Sequence, residues 1–363
     1  MSIILFARDP GAANMISAVL PALPSGVTLY AKDYARDLFG RENIAFIDFN
    51  RQISDKNLAP SDAEAVESWL SQLKNSGDRF CMITGTTNLE DFTDRLIWEA
   101  AATKGITTIS ILDQWYRAKE RFVTAAGVYR PDYILAPTKE LAELLNAEGL
   151  ARKEALHFGH PYLEKVFTFY SSLVNNRDIL RQKLADHFHQ KFSVVVVLAS
   201  DPQRYLSAQG LQHKDVTYDE FDLYNAAAQG FRESNLSDEL FIVKLHPKEK
   251  RSDWSHINAN ILCDEFTPYE LIVACDIVIG TKSMMLLEAL LLGKIAISVN
   301  LWNVASERLP SHDAGLSQEV TSLAGLKEAL NECRPSDTIP SDYKQRLGIE
   351  ADWAAIIKKL TAL

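Results

Sequence analysis

Short apolar runs alternate with amphipathic stretches along almost the whole chain, a pattern that predicts parallel strands joined by helices. The first half opens with a strand over 2–7 (SIILFA), a helix over 12–20, and strands over 27–31 (VTLYA) and 44–48 (IAFID). The stretch 61–75 (SDAEAVESWLSQLKN) begins at a Ser cap and places Ala65, Trp69, Leu70 and Leu73 on one face, so it reads as a helix. A strand over 80–84 (FCMIT), a helix over 89–103, strands over 106–112 (ITTISIL) and 132–136 (DYILA), and a helix from Thr138 to Glu148 complete this half.

The second half repeats the alternation. SVVVVLAS (193–200) is an unbroken β-branched run, the mark of a central parallel strand covered on both faces. Strands over 240–245, 276–279 and 295–299 accompany it, with helices near 217–232, 268–274 and 283–292. The expected fold class is therefore α/β, with two Rossmann-like domains over 1–160 and 161–340 facing each other across a cleft. The helical segment over 341–363 is expected to pack back on the first domain. Ligands in such folds lie at the carboxyl ends of the strands, so chemistry is sought in the residues that follow them.

The length, 363 residues, suits two such domains. Lys plus Arg is 38 against 48 Asp plus Glu, a formal charge of −10 without basic blocks, which argues against a sequence-independent nucleic-acid binder. The first ten residues lack a basic region and a small-residue cleavage site, and the greasiest stretch, 284–293, is short of a membrane span and carries Glu288. Cys81, Cys263, Cys275 and Cys333 show no CxxC or metal-ligand spacing, and three of them, in or beside apolar runs, read as core thiols. A reduced cytoplasmic protein is expected; association with the inner face of the cell membrane stays open, since one modest patch is enough for it.

The first strand ends in Arg8-Asp9-Pro10-Gly11-Ala12-Ala13-Asn14. Neither GxGxxG nor GxxxxGK[ST] occurs, which disfavours a dehydrogenase or an ATPase. Asp9 reads either as a general base or as a helix cap, while Gly11 and Asn14 at the helix start suit an anion or an acceptor hydroxyl. The strand over 106–112 runs into Asp113-Gln114-Trp115-Tyr116-Arg117, with Lys119 and Arg121 beyond it. This set suits a sugar or phosphate surface, and equally a solvated basic loop over core aromatics. Tyr218-Asp219-Glu220-Phe221-Asp222 reads as a helix start, and no DxD motif is present, so neither metal nor other cofactor is expected.

In the second half, LFIVKL runs into His246-Pro247-Lys248, where a histidine beside Lys244 and Lys248 is placed to neutralise charge on a leaving phosphate. The strand over 276–279 leads into Gly280-Thr281-Lys282-Ser283, whose helix start forms an anion cradle. Glu288 is the lone charge in an apolar helix and fits either a ribose diol or a snorkelling or salt-bridged carboxylate.

Taken in order, VKLHP and then DIVIGxxSxxxxEALxxGK resemble the nucleotide-binding half of glycosyltransferases with the two-Rossmann GT-B fold. They are also similar to hydrolysing and non-hydrolysing UDP-N-acetylglucosamine 2-epimerases. Phe158-Gly159-His160-Pro161-Tyr162 resembles the G-[NH]-P turn between the two domains of these proteins. The HP pair is similar to that of bacterial sialyltransferases and glycerophosphotransferases, although their [DE]-[DE]-G base motif is missing, as is the epimerase pattern HxExGxR. The resemblance implies that His246 with Pro247 approaches the donor phosphate, that Gly280, Thr281, Lys282 and Ser283 bind phosphates, and that Glu288 takes the ribose. Ser200 and Arg204 lie where such enzymes bring a serine or arginine to the phosphates.

The expected activity is metal-independent transfer of a sugar from a nucleotide-activated donor to a glycan or lipid-linked acceptor in surface polysaccharide assembly. Asp9 or Asp113 would be the base, with His246 and Lys244 at the leaving phosphate and Gly11, Asn14, Trp115 and Arg117 toward the acceptor. The rivals are a nucleotide-sugar 2-epimerase or hydrolase and a non-catalytic nucleotide-sugar-binding protein.

Overall fold

The computed structural model describes residues 2–75, 79–87, 90–115, 117–210, 212, 216–236, 238–263, 265–302, 309–332 and 342–362. The chain divides into two compact units, Met1–Tyr162 with Leu347–Leu363, and Leu163–Arg346.

The first unit is built on β1 (Ser2–Ala7), α1 (Pro10–Val19), β2 (Val27–Ala31), α2 (Tyr34–Arg41), β3 (Ile47–Asp48), α3 (Ala63–Asn75), β4 (Phe80–Thr84), α4 (Thr93–Thr103) and β5 (Thr108–Ile111). A small antiparallel hairpin, β6 (Val123–Thr124) and β7 (Gly127–Val128), precedes β8 (Tyr133–Ala136), α5 (Lys139–Ala147) and β9 (Glu154–His157). Its seven parallel strands lie in the order β3-β2-β1-β4-β5-β8-β9. Chain order reverses between β1 and β4, the topological switch point of this sheet.

The second unit starts within α6 (Pro161–Leu173) and continues through α7 (Arg177–Phe188), β10 (Val194–Ala199), α8 (Gln203–Ala208), α9 (Glu220–Glu233), β11 (Glu239–Lys244), β12 (Asn260–Leu262), α10 (Pro268–Ala274) and β13 (Ile277–Gly280). Then follow α11 (Met284–Leu291), β14 (Ile295–Val299), α12 (Pro310–Asp313), β15 (Gln318–Val320), α13 (Leu323–Glu332) and α14 (Tyr343–Arg346). The six parallel strands run β12-β11-β10-β13-β14-β15, with the reversal between β10 and β13. Val195 to Leu198 are fully buried, as the β-branched run requires of a central strand. Below the sheet, Asp276 accepts from Arg181 Nη1 at 2.8 Å and from the Val195 amide at 2.8 Å, which ties α7 to the β10–β13 pair.

The last helix, α15 (Trp353–Thr361), belongs to the first unit. Trp353 meets Phe158 edge-on at 6.3 Å. Gly159 has φ +76°, and a Cβ there would stand 2.5 Å from the Ile349 carbonyl oxygen, so glycine is required at the Phe158–Tyr162 turn.

Several expectations need correction. Ser61 is not a cap: residues Pro60–Asp62 form a 3₁₀ turn in which the Asp62 carboxylate accepts from the Ala59 amide at 2.7 Å, and α3 starts at Ala63. Its buried face carries Val66, Trp69 and Leu70, while Ala65 is exposed. The strand expected over 44–48 shrinks to two residues at the sheet edge, where only one neighbour supplies hydrogen bonds. The edge strands β9, β12 and β15 escape a hydrophobicity reading because their composition is mixed. Cys81 and Cys275 are core thiols, pushed up by burial to about 11 and about 12, and Cys333 lies outside the described residues.

Candidate functional site

At the reversal point of the second unit, the residues following β10 and β13 converge on one carboxylate. Asp201 Oδ2 accepts from Thr281 Oγ1 at 2.7 Å and from the Tyr218 hydroxyl at 2.8 Å, and Oδ1 accepts from Gln203 Nε2 at 2.8 Å. Lys282 Nζ stands 3.9 Å away. Burial alone would raise the Asp201 carboxyl, but Lys282 and the three hydrogen bonds outweigh it and hold the group below the ordinary carboxylate range. Gly280 lets β13 close on β10, since a Cβ would already stand 3.4 Å from both Cβ and O of Ala199. Ser283 then caps α11, its Oγ accepting from the Met285 amide at 3.3 Å.

Beside this hub lies the turn after β11. His246 Nδ1 accepts from the Lys248 amide at 3.1 Å, so the neutral ring carries its proton on Nε2 and offers it as a donor. Burial, helped by Lys248 and Lys244, pushes the imidazole down to about 4. At neutral pH the ring is therefore uncharged and presents its Nε2–H as a donor. Glu249 joins the turn to its surroundings. Its Oε2 accepts from the His246 amide at 2.8 Å, and Oε1 accepts from Ser200 Oγ at 2.8 Å and Trp254 Nε1 at 3.1 Å.

The first unit has its own polar centre at the β1–β4 reversal. Asp113, following β5, is buried against the first turn of α1: a Cβ on Gly11 would stand 1.6 Å from Asp113 Oδ2. Gly85 does the same for β4, where a Cβ would meet Ala12 Cβ at 2.2 Å. Thr86 Oγ1 donates to Asp113 Oδ1 at 3.3 Å. Burial pushes the Asp113 carboxyl up against the pull of Arg121, and the Asp9 charge adds to the rise. Asp9 occupies the N-cap position of α1 without a side-chain capping hydrogen bond, and its carboxylate accepts from Arg8 Nη1 at 2.8 Å. Arg8 also donates to Asp33 at 2.7 Å and to Asn57 at 2.7 Å, and lies 3.1 Å from Asp91, which in turn accepts from the fully buried Lys32 at 2.7 Å. Asp33 holds this contact at φ +47°, a conformation rare for any residue but glycine and a sign of local strain. His160 Nε2 donates to the Asp113 carbonyl at 3.2 Å, and its ring, neutral with a value pushed by burial to about 4, lies flat against Trp115 at 5.1 Å.

No family model matches the sequence, and no curated protein matches it. Among solved structures, the chain is similar to the UDP-GlcNAc 2-epimerase of Rickettsia bellii, with a TM-score of 0.67, 14% identity, and coverage of 100% of this chain and 96% of that one. It is similar to the UDP-GlcNAc 2-epimerase of Neisseria meningitidis bound to UDP-GlcNAc at TM-score 0.64 and 14% identity, over 99% of both chains. A glycosyltransferase from Rickettsia africae matches at TM-score 0.60 and 10% identity, over 99% of this chain and 96% of that one. The chain has the GT-B fold.

Within this GT-B fold, the residues singled out from sequence fall into two groups. Gly280 ends β13; Ser200, His246, Thr281, Lys282 and Ser283 follow β10, β11 and β13 in the second unit, and Asp9, Gly11 and Asp113 meet at the start of α1 in the first. Others are directed elsewhere. Lys244 Nζ is occupied by the carbonyl oxygens of Leu245, at 3.3 Å, and Cys263, so the expectation that it meets a leaving phosphate is corrected. Arg204 is exposed and stacks over Phe221 at 4.9 Å, Pro247 is exposed, and Arg117 pairs with Glu120. Glu288 is buried within α11, which excludes a snorkelling carboxylate. Asn14 and Trp115 are half-buried, and Tyr116 lies outside the described residues.

Sequence reasoning passed over Asp201, Gln203, Tyr218 and Glu249 as site residues. Asp201 was within reach of it, as a carboxylate two residues past the central strand. Glu249 was not, because the Ser200 hydroxyl that ties it to the central strand is 49 residues distant and only folding unites them. Asp219 caps α9 through the Phe221 and Asp222 amides, as the acidic-aromatic run predicts. Among the described residues, no helix is long and apolar enough to cross a membrane.

Proposed function

We propose that the chain acts on a nucleotide-activated sugar, binds its phosphates in the second unit, and transfers the sugar to a hydroxyl of a glycan or lipid-linked acceptor. The observation that carries this reading is the set of donors at the β10–β13 reversal: Lys282, the start of α11, and the neutral His246 with its Nε2 proton. Free N–H groups at a helix start and nearby cations favour phosphate oxygens, and a preorganised neutral donor serves a leaving phosphate without first being charged. Lys282 and Lys248 supply positive charge at the site, so the transfer is proposed to proceed without a divalent metal. Asp113 is the better base of the two acidic candidates, because its raised proton affinity suits abstraction of a hydroxyl proton while Asp9 is neutralised by Arg8. Surface polysaccharide assembly is the setting proposed for this reaction.

A second reading, a nucleotide-sugar 2-epimerase or hydrolase, is favoured by the four epimerase structures that match at TM-scores of 0.61 to 0.67. Thermal shift against CMP, CDP, UDP, GDP and their sugar conjugates, with and without magnesium, tests the shared premise. Ligand at 100 times its Kd adds about 2.7 kcal/mol. No shift with any of them would refute both readings. Product analysis on donor alone then separates them, since only an epimerase or hydrolase turns over without an acceptor.

A further inference from the structure

We propose that Glu249 is the positioning residue of the phosphate site: its carboxylate fixes the His246 turn, holds the Ser200 hydroxyl, and exchanges a proton when an anion binds. The inference rests on the phosphate-site reading of the second unit. Its geometric basis is that one side chain takes three donors from three places: the main chain of the turn after β11, the end of the central strand β10, and Trp254 in the 3₁₀ turn Arg251–Trp254.

Two of these donors, the His246 amide and the Trp254 indole, can only donate. Ser200 is different, because a hydroxyl can reverse. With Glu249 ionised, the Ser200 proton points at Oε1 and is withheld from any ligand. With Glu249 protonated on Oε1, that proton donates to Ser200 Oγ, and the Ser200 hydroxyl turns its own proton outward to a phosphate oxygen. Oε1 still accepts from Trp254 and Oε2 from His246, so no donor is stranded. The neutral form also removes a negative charge beside the anion. Binding is thus coupled to uptake of one proton from solvent, which moves onto Glu249.

The surroundings place this exchange in the physiological range. Burial, opposed by the hydrogen bonds from His246, Ser200 and Trp254 and reinforced by Glu220 at the head of α9, pushes the Glu249 carboxyl up to about 7. The other charged or titratable groups around the turn are His246, Lys248 and Lys244 on the β11 side, Asp201 beyond Ser200, and Arg204, whose amide is bound by Glu220. His246 stays neutral down to about 4, so it does not contribute a second titration between pH 6 and 8.

Two measurements on the full chain test this. The first needs no ligand: the Trp254 indole ¹H–¹⁵N resonance, assigned with Trp254→Phe, is followed from pH 5 to 9. A midpoint near 7 that vanishes in Glu249→Gln is expected. A midpoint below 5, or one that survives the substitution, overturns the proposal. The second is calorimetry with UDP-N-acetylglucosamine, whose diphosphate diester keeps its charge across this range, in buffers of different ionisation enthalpy at pH 7.5, with sodium sulfate as a second probe. Uptake of more than half a proton per site is expected, and Ser200→Ala should lower that uptake and weaken binding about tenfold, the scale of one lost hydrogen bond to a charged group. Binding with no proton uptake sinks the Glu249 proposal and leaves the phosphate site standing. Failure of both probes to bind sinks the phosphate site itself and the coupling with it, and the indole titration then reports whether Glu249 makes its contacts.

Discussion

Asp201 is the residue on which the second unit's site can be tested most directly. Replacing it with alanine removes the acceptor for Thr281, Tyr218 and Gln203 at once, at distances of 2.7, 2.8 and 2.8 Å. Each buried donor left without a partner costs about 1–3 kcal/mol, and the two hydroxyls can rotate in search of another acceptor, so a total of about 3–5 kcal/mol follows. Asparagine behaves differently. Its carbonyl can stay at the Oδ2 position for Thr281 and Tyr218, while its amide faces Gln203, whose Oε1 has no hydrogen-bond partner among the described residues. If the Gln203 amide turns over, that oxygen accepts from the amide of the introduced asparagine, and only the charge assistance is lost, about 1–2 kcal/mol. Urea unfolding followed by circular dichroism at pH 7.5 measures both, and for a unit of this size each kcal/mol is about 2–4 °C in Tm. The pH dependence has a definite sign. Asp201 is held below its ordinary value of 3.8, so its contribution is complete above that value and is lost as pH falls through the lower folded-state value. Equal losses for Asp201→Ala and Asp201→Asn, or an alanine loss under about 1 kcal/mol, would refute the hub described here.

Four further outcomes are expected. Gly11→Ala drives a methyl onto Asp113 and should cost about 1–3 kcal/mol by overpacking, whereas Gly40→Ala, in α2 with open space around it, should stabilise by about 0.5–1 kcal/mol; thermal denaturation compares the two. With whichever donor the thermal-shift screen identifies, Asp113→Asn should lower kcat by about 10²–10⁴ with an unchanged circular dichroism spectrum, and by more than Asp9→Asn. The His246 ring, followed by its ¹⁵N shifts, should hold the Nε2–H tautomer through pH 6 and protonate near 4, and a midpoint above 6 would contradict its burial. Ser283→Ala removes the cap of α11 and should cost about 1 kcal/mol in urea unfolding, while weakening phosphate binding at the same helix start.

The division of labour between sequence and tertiary structure is visible residue by residue. Strand runs such as SVVVVLAS declared both sheets, because a strand covered on two faces needs an apolar side chain at every position. The residues following those strands were legible as candidates for the same reason: parallel sheets present their carboxyl ends to ligands, so Asp9, Asp113, His246 and Thr281 could be named from spacing alone. Edge strands such as β9 and β12 were not legible, since they are half-covered and carry no periodic signal.

The charge and hydrogen-bond partners of each candidate were decided only by its neighbours in space. Asp9 and Asp113 look alike as letters, yet Arg8 neutralises one and burial against Gly11 raises the other. Lys244 and Lys282 both follow apolar runs, but carbonyl oxygens occupy the first while the second faces Asp201. The charge of His246 and the role of Glu249 likewise depend on burial and on partners contributed by other strands and turns. Periodicity along the chain encodes which face of an element is dry. Proton affinity and hydrogen-bond partnership depend on distances across strands that only the closed fold creates.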